Sequence, residues 1–325
     1  MQVLPRNGEV RRDAARDRFD AAECARPSRS RPMRDPNRPP AHPSRRALLL
    51  AGASVAAGGC ATIDARVRAA VFRPSREVPD SFAGLRAGDE RLRIEVDAPD
   101  GAPAWVAMWW LPAAATGAPA LLYLHGTHRN LYHNHPKLQA IRDAGFSVLA
   151  VEYRGWGDSS PLLPSEASIV ADAELGWHEL VRREPEPGRR VIYGHSMGSA
   201  VAVEIAARRS DPPAHGGLIL ESAFTRGADL AAALSVFGGP VAWLLSPGFD
   251  ALARIGSVSG PVLMLHGTAD RTVPLALGRR LFDAAPSPRR FVEFEGGSHS
   301  RLHDDDPMRY HDAFAGFAAR LRGLR

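Results

Sequence analysis

The sequence predicts an α/β domain, a mostly parallel sheet with helices on both faces. Three observations predict it. Short, purely apolar runs such as Ala120–Leu124 recur along the chain, as strands buried on both faces require. Longer amphipathic segments alternate with them, the pattern of β-α crossovers. Two strands joined through a Pro-Asp-Gly turn at Pro99–Gly101 precede that alternation. The 325 residues suffice for a large domain with a full core, and an apolar share of 45% excludes a mostly disordered chain or a polytopic membrane protein.

Residues 1–46 are rich in Arg, Pro, Asp and Ser, have no apolar period and cannot build a core. Arg45-Arg46 then leads into Ala47–Leu50 and an uncharged stretch to Gly59, followed by Cys60. A basic segment, a short apolar one and small residues before a cut are the parts of an export signal. Thirteen uncharged residues are too few to span a bilayer as a helix. The paired arginines resemble a twin-arginine signal. Ala57-Gly58-Gly59-Cys60 resembles a bacterial lipobox, with Ala57 where that pattern prefers Leu. Residues 1–60 therefore read as a tail and signal. They imply export to a bacterial cell envelope and a lipid anchor at Cys60; an apolar N-terminal helix with an ordinary Cys60 is the alternative, with a cytoplasmic protein. A start at Met33 would bring the arginine pair close to the N-terminus.

Residues 61–88, with Pro74 and Pro79, read as a linker, and 89–325 as the domain. Arg91–Val96, Ala104–Leu111, Ala120–Leu124, Phe146–Glu152, Arg190–Tyr193, Leu218–Leu220, Val262–Leu265 and Arg290–Glu295 are expected strands. His135–Ala144, Ile169–Arg183, Ser199–Arg209 and Met308–Leu321 are expected helices.

Net charge is +5, but up to Arg46 the chain has 12 arginines and six acids, leaving 29 basic and 30 acidic groups beyond it. The domain is near neutral, which excludes a nucleic-acid-binding face. Two cysteines make neither a disulfide scaffold nor a structural zinc site.

Chemistry gathers at the carboxyl ends of the strands in such sheets. Gly194-His195-Ser196-Met197-Gly198 lies directly between an expected strand and an expected helix. That is the context of a nucleophile elbow, which presents Ser196 and leaves the Met197 N–H free for an oxyanion. A serine needs a base and an orienting acid. Asp270, just past Val262–Leu265, and His299, after Arg290–Glu295, complete the order Ser196, Asp270, His299. His303 competes with His299 as the base, and Glu221 with Asp270 as the acid. The Thr127 backbone N–H is the expected second oxyanion donor, and His125 a structural hydrogen-bonding residue. Histidines 125, 128, 133 and 135 cross a strand–loop–helix junction without fixed ligand geometry, so no metal is expected. The glycines are not spaced as a nucleotide fingerprint, and no cofactor is expected.

Five segments carry a resemblance: L-Y-L-H-G-T from Leu122, E-Y-R-G-W-G-D-S from Glu152, Y-G-H-S-M-G from Tyr193, L-H-G-T-A-D-R-T-V-P from Leu265 and G-G-S-H from Gly296. The chain from about residue 91 resembles the α/β-hydrolase superfamily, in its monoacylglycerol-lipase-like and serine-aminopeptidase-like branch. The resemblance implies an eight-stranded type of sheet, a structural Arg154–Ser159 loop and a helical cap at about 223–260. Leu230–Phe249 is uncharged for twenty residues, but Gly238-Gly239-Pro240 interrupts it, favouring two short helices that line the site with Trp243, Leu244 and Leu245. The implied activity is a serine hydrolase acting on a small apolar acyl ester, esterase or lysophospholipase-like. A serine aminopeptidase-type amide hydrolase and a catalytically silent binding lipoprotein are the alternatives.

Overall fold

The computed structural model describes Thr62 and residues 64–98, 100–234 and 248–323. Its strands are β1 (Glu90–Asp97), β2 (Pro103–Leu111), β3 (Ala120–Leu124), β4 (Ser147–Glu152), β5 (Arg190–His195), β6 (Gly217–Glu221), β7 (Val262–Gly267) and β8 (Arg289–Phe294). They form one eight-stranded sheet in the order β1-β2-β4-β3-β5-β6-β7-β8. β2 runs antiparallel to both its neighbours, and every pair from β4 to β8 is parallel.

The helices are α1 (64–72), α2 (Leu131–Asp143), α3 (Glu166–Arg183), α4 (Met197–Ala207), α5 (Gly227–Leu234), α6 (Leu252–Ile255), α7 (Leu275–Ala284), α8 (Leu302–Asp305) and α9 (Pro307–Gly323). The period of two along each strand sends alternate residues to opposite faces. Leu122, Leu124, Ile192 and Leu220 join Trp177 of α3 and Val201 of α4 in one core layer. Leu121, Tyr123, Tyr193 and Leu265 join Ile141 of α2 and Phe314 of α9 in the other. β3, β5, β6 and β7 are buried throughout, which explains their unbroken apolar runs.

Three of the differences from expectation have a plain physical reason. α2 begins at Leu131 rather than His135, because the Asn130 side chain accepts from His133 N–H and the Leu131 N–H donates to Glu152 Oε2 at 3.0 Å. α7 has no counterpart among the expected helices: Pro274 precedes it and Gly278 interrupts its pattern. A Cβ on Gly278 would lie 2.4 Å from His266 Nδ1, so the glycine serves close helix–strand packing. Within 61–88, read as a linker, α1 delivers Phe72 into the core and Phe82 packs on Trp109 and Tyr132 at 5.4 and 5.0 Å. α5 is the described beginning of the expected cap. Trp243, Leu244 and Leu245 lie outside the described residues, as do Cys60 and the signal.

Candidate active site

β5 ends at His195 and α4 begins at Met197, leaving Ser196 alone on the turn with φ 54° and ψ −122°. Such a backbone is strained for a residue with a side chain and persists only where neighbours hold it. Here Ser196 N–H donates to Glu221 O at 3.0 Å, and Ser199 binds the Ser196 carbonyl through both N–H and Oγ, at 2.9 and 2.6 Å. Flanking glycines let the turn close. A Cβ on Gly194 would lie 2.2 Å from Gly198 O, and one on Gly198 2.1 Å from Leu124 O.

His299 Nε2 lies 3.0 Å from Ser196 Oγ, and His299 Nδ1 2.8 Å from Asp270 Oδ2. A carboxylate oxygen can only accept, so Nδ1 carries the hydrogen and Nε2 accepts from the Ser196 hydroxyl. Asp270 Oδ1 also accepts from the N–H groups of Thr272 and Val273, each at 2.8 Å. Burial acts to raise the Asp270 pKa, but the hydrogen bond and charge of His299, with those two amides, outweigh it and hold the carboxyl below its ordinary range. This arrangement can take a proton from Ser196 and hold the resulting imidazolium.

Two residues outside the sequence reading support His299. Ser222 Oγ and His195 Nε2 both donate to the His299 carbonyl, each at 3.0 Å. Burial, then the positive charges of Lys137 and His299, push the His195 pKa well below the ordinary value, so its imidazole stays neutral. His195 occupies the variable position of the glycine-flanked motif, where spacing carries no signal.

The competitors lie elsewhere. Glu221 turns toward Lys137 Nζ and accepts from the hydroxyls of Tyr193 and Tyr310 at 2.7 and 3.0 Å. The His303 ring lies tilted against that of Tyr310 at 5.9 Å, with Nε2 3.7 Å from Asp304. His125 is buried, with Nδ1 2.6 Å from Gly126 O and Nε2 3.3 Å from Glu152 Oε1. The Arg154–Ser159 loop is built inward: Arg154 pairs with buried Asp172 at 2.7 Å, and Ser159 Oγ donates to Glu152 O. His133 faces Asn130 and His135 faces Gln139, and among the described residues no three His, Cys, Asp or Glu side chains converge on a metal-sized site.

A cleft of about 350 Å³ opens over Ser196 and His299, lined also by Gly126, Thr127, Arg129 and Arg301. A Cβ on Gly126 would sit 3.0 Å from Ser196 Cβ, which measures how closely the Thr127 loop abuts the serine. Among the described residues, neither Thr127 N–H nor Met197 N–H donates a hydrogen bond within the protein. A larger hollow of about 560 Å³ lies between α3 and α6, but its Glu174, Glu204, Arg208 and Arg254 pair with one another.

The family described as serine aminopeptidase, S33, matches residues 118–252. The uncharacterized protein Rv2307c of Mycobacterium tuberculosis is 34% identical over 251 residues, covering 76% of this chain and 85% of that protein. Lysophosphatidylserine lipase ABHD12 of Rattus norvegicus is 32% identical over 208 residues, covering 58% of this chain and 50% of that lipase, so the chain spans about half its length. An alpha-beta hydrolase of Vibrio vulnificus shares the fold at a TM-score of 0.63 and 17% identity, over 78% of this chain and 93% of that one.

Proposed function

This chain belongs to the α/β-hydrolase superfamily, and we propose that it is a serine hydrolase that cleaves carboxylic esters, esterase or lysophospholipase-like, through an acyl-enzyme. The observation that carries the reading is His299 bridging Ser196 Oγ at 3.0 Å and Asp270 at 2.8 Å on a glycine-flanked elbow. In the proposed reaction Ser196 Oγ attacks the ester carbonyl while His299 Nε2 takes its proton. The carbonyl oxygen, now an oxyanion, is met by the N–H groups of Thr127 and Met197, the latter at the positive end of α4. Collapse expels the alcohol, which receives the proton from His299, and leaves the acyl group on Ser196. A water then gives a proton to His299 and attacks the acyl carbon; the acid departs and Ser196 regains its proton. Asp270 holds the imidazole tautomer throughout.

An ester is favoured over an aminopeptidase substrate because the described cleft wall offers no carboxylate to a substrate ammonium group. Trp243, Leu244 and Leu245 are assigned to the acyl chain. The lipase relative supports a small-molecule ester or lipid substrate. Ser196→Ala should end turnover and labelling by a fluorophosphonate probe with the thermal midpoint little changed. Near-wild-type hydrolysis would remove Ser196 from the mechanism, and failure of the wild type to label would favour a silent binding protein.

For location, the proposal is export and lipid attachment at Cys60, supported by the arginine pair, the short apolar segment and the residues before the cysteine. Several acyl chains on one cysteine anchor a protein stably where one would not. Cys60→Ser should move the protein out of the membrane fraction, and an unmodified N-terminus upstream of Cys60 on the mature protein would refute the anchor.

A further inference from the structure

The cleft wall holds a cation that ester hydrolysis itself does not use. Arg129 N–H donates to Thr127 O at 2.8 Å across His128, whose φ is +66°. This is a three-residue turn of the rare, strained kind, which survives only when its surroundings over-determine it. Asn130 fixes its far end by capping α2, and Asn134 Nδ2 donates to the carbonyls of Arg129 and Asn130 at 3.5 and 2.9 Å. The turn therefore sets Arg129 two residues beyond the Thr127 N–H and on the wall of the same cleft.

Other partly or fully buried arginines of the domain have partners: Arg142 pairs with Asp89, Arg154 with Asp172 and Arg209 with Glu174, and Arg190 donates to the carbonyls of Glu184, Pro185 and Ala214. Arg129 is half-buried, yet among the described residues its guanidinium has neither an ion pair nor a hydrogen-bond acceptor. A guanidinium has five N–H donors and no acceptor, so one on a cleft wall without a carboxylate beside it is suited to an anion. Its charged surroundings do not compensate. Lys137 lies close enough to feel the Arg129 charge, and Glu221 is already committed to Lys137 and two phenols. Arg301 adds a second cation to the cleft, partly neutralised by Asp304 at 3.2 Å. Among the described residues, a positive charge with no acid to match it thus lines the cleft over Ser196.

Resting on the ester-hydrolase reading, we propose that this cleft selects esters whose alcohol portion carries a phosphate or carboxylate, with Arg129 as the anion-binding residue and Arg301 as a weaker second cation. The alcohol side is assigned because the described wall is polar, with Thr127, Asn134, Thr272 and Ser298 beside the two arginines, and offers no apolar side chain to an acyl chain. Arg129, Thr127 and Ser196 line one cleft of about 350 Å³, which limits the separation of the anion from the ester carbonyl to that of a small alcohol. A glycerol ester with its charge on the neighbouring carbon or hydroxyl has that spacing. Guanidinium is suited to the task because it meets phosphate or carboxylate with two parallel hydrogen bonds.

The test compares kcat/KM of the full chain on monoacyl esters of glycerol, glycerol 3-phosphate and glyceric acid with one acyl length, below their aggregation limits. At least one anionic ester should exceed the neutral one by tenfold or more, and the preferred one identifies phosphate or carboxylate as the anion. Arg129→Gln should lower the anionic-to-neutral ratio by about 10- to 100-fold, the loss of a charge-assisted hydrogen-bond pair. Arg129→Lys should restore part of it, Arg301→Gln should lower it less, and added salt should compress it in the wild type. Thermal melting confirms that each variant is folded. A ratio near one in the wild type, or one untouched by Arg129→Gln, overturns the proposal while the hydrolase reading stands. A wild type that cleaves none of the esters and does not label at Ser196 removes both.

Discussion

Two buried carboxylates stand at the carboxyl ends of neighbouring parallel strands, Glu221 closing β6 and Asp270 just beyond β7, and they do different things. Both are held below the ordinary carboxylate range. For Glu221, burial acts to raise the pKa, and the charge and hydrogen bond of Lys137, with the Tyr193 hydroxyl, outweigh it. For Asp270 the opposing partner is His299. Glu221 faces the layer under α2 and α9, where a cation and two phenols close every approach to it. Asp270 faces the cleft, and its partner has a second nitrogen that reaches Ser196. Burial and a depressed pKa therefore do not separate the two carboxylates; the identity of the partner does. Glu221 still serves the site, but through its backbone carbonyl, which holds the Ser196 N–H.

The sharpest way to break this contrast is to remove each charge in turn. Asp270→Asn should lower kcat by about 10⁴-fold, since the amide leaves His299 in the wrong tautomer, and should shift the thermal midpoint little. Glu221→Gln should do the reverse. With Lys137 left buried without its counter-charge, the fold should lose about 3–5 kcal/mol in denaturant titration, while kcat of the folded fraction falls far less than in Asp270→Asn. If Glu221→Gln proved the catalytic lesion and Asp270→Asn the mild one, the assignments would have to be exchanged.

Acidification gives a third comparison. A carboxyl whose folded pKa is depressed contributes stability that is fully present above its unfolded value, about 4.3 for Glu, and is lost as pH falls through the folded value. The stability gap between wild type and Glu221→Gln should therefore hold from neutral pH down to about 5 and narrow below about 4. A gap that stayed constant to pH 3 would mean that the Glu221 pKa is the same folded and unfolded, and one that widened would mean that it is raised in the fold. The smallest effect is expected from Tyr310→Phe, about 1 kcal/mol, because Glu221 keeps Tyr193 and Lys137 after one hydroxyl is lost.

The sequence by itself determined the strands, the elbow and the order of the candidate site residues. Strands buried on both faces must be apolar at every position, and a turn as tight as that at Ser196 must be flanked by glycine, so both leave local signatures. The position of a residue just past a strand is likewise local, which is why Ser196, Asp270 and His299 could be named before the sheet was seen. The choice of Asp270 over Glu221 was not local: it depends on which face of the sheet each side chain takes, and on Lys137, 84 residues away from Glu221. The same is true of α2, whose first turn is completed by Glu152 from another strand, and of α7, whose glycine reads as an interruption until His266 is found against it. His195 and Ser222 hold the His299 carbonyl across 104 and 77 residues, and Arg129 stands out only because no acid among the described residues comes to meet it. Periodicity and turn chemistry act between near neighbours and are written into short windows of sequence. Partner choice among buried charges is made through space, where desolvation penalises any mismatch, and only the tertiary structure decides it.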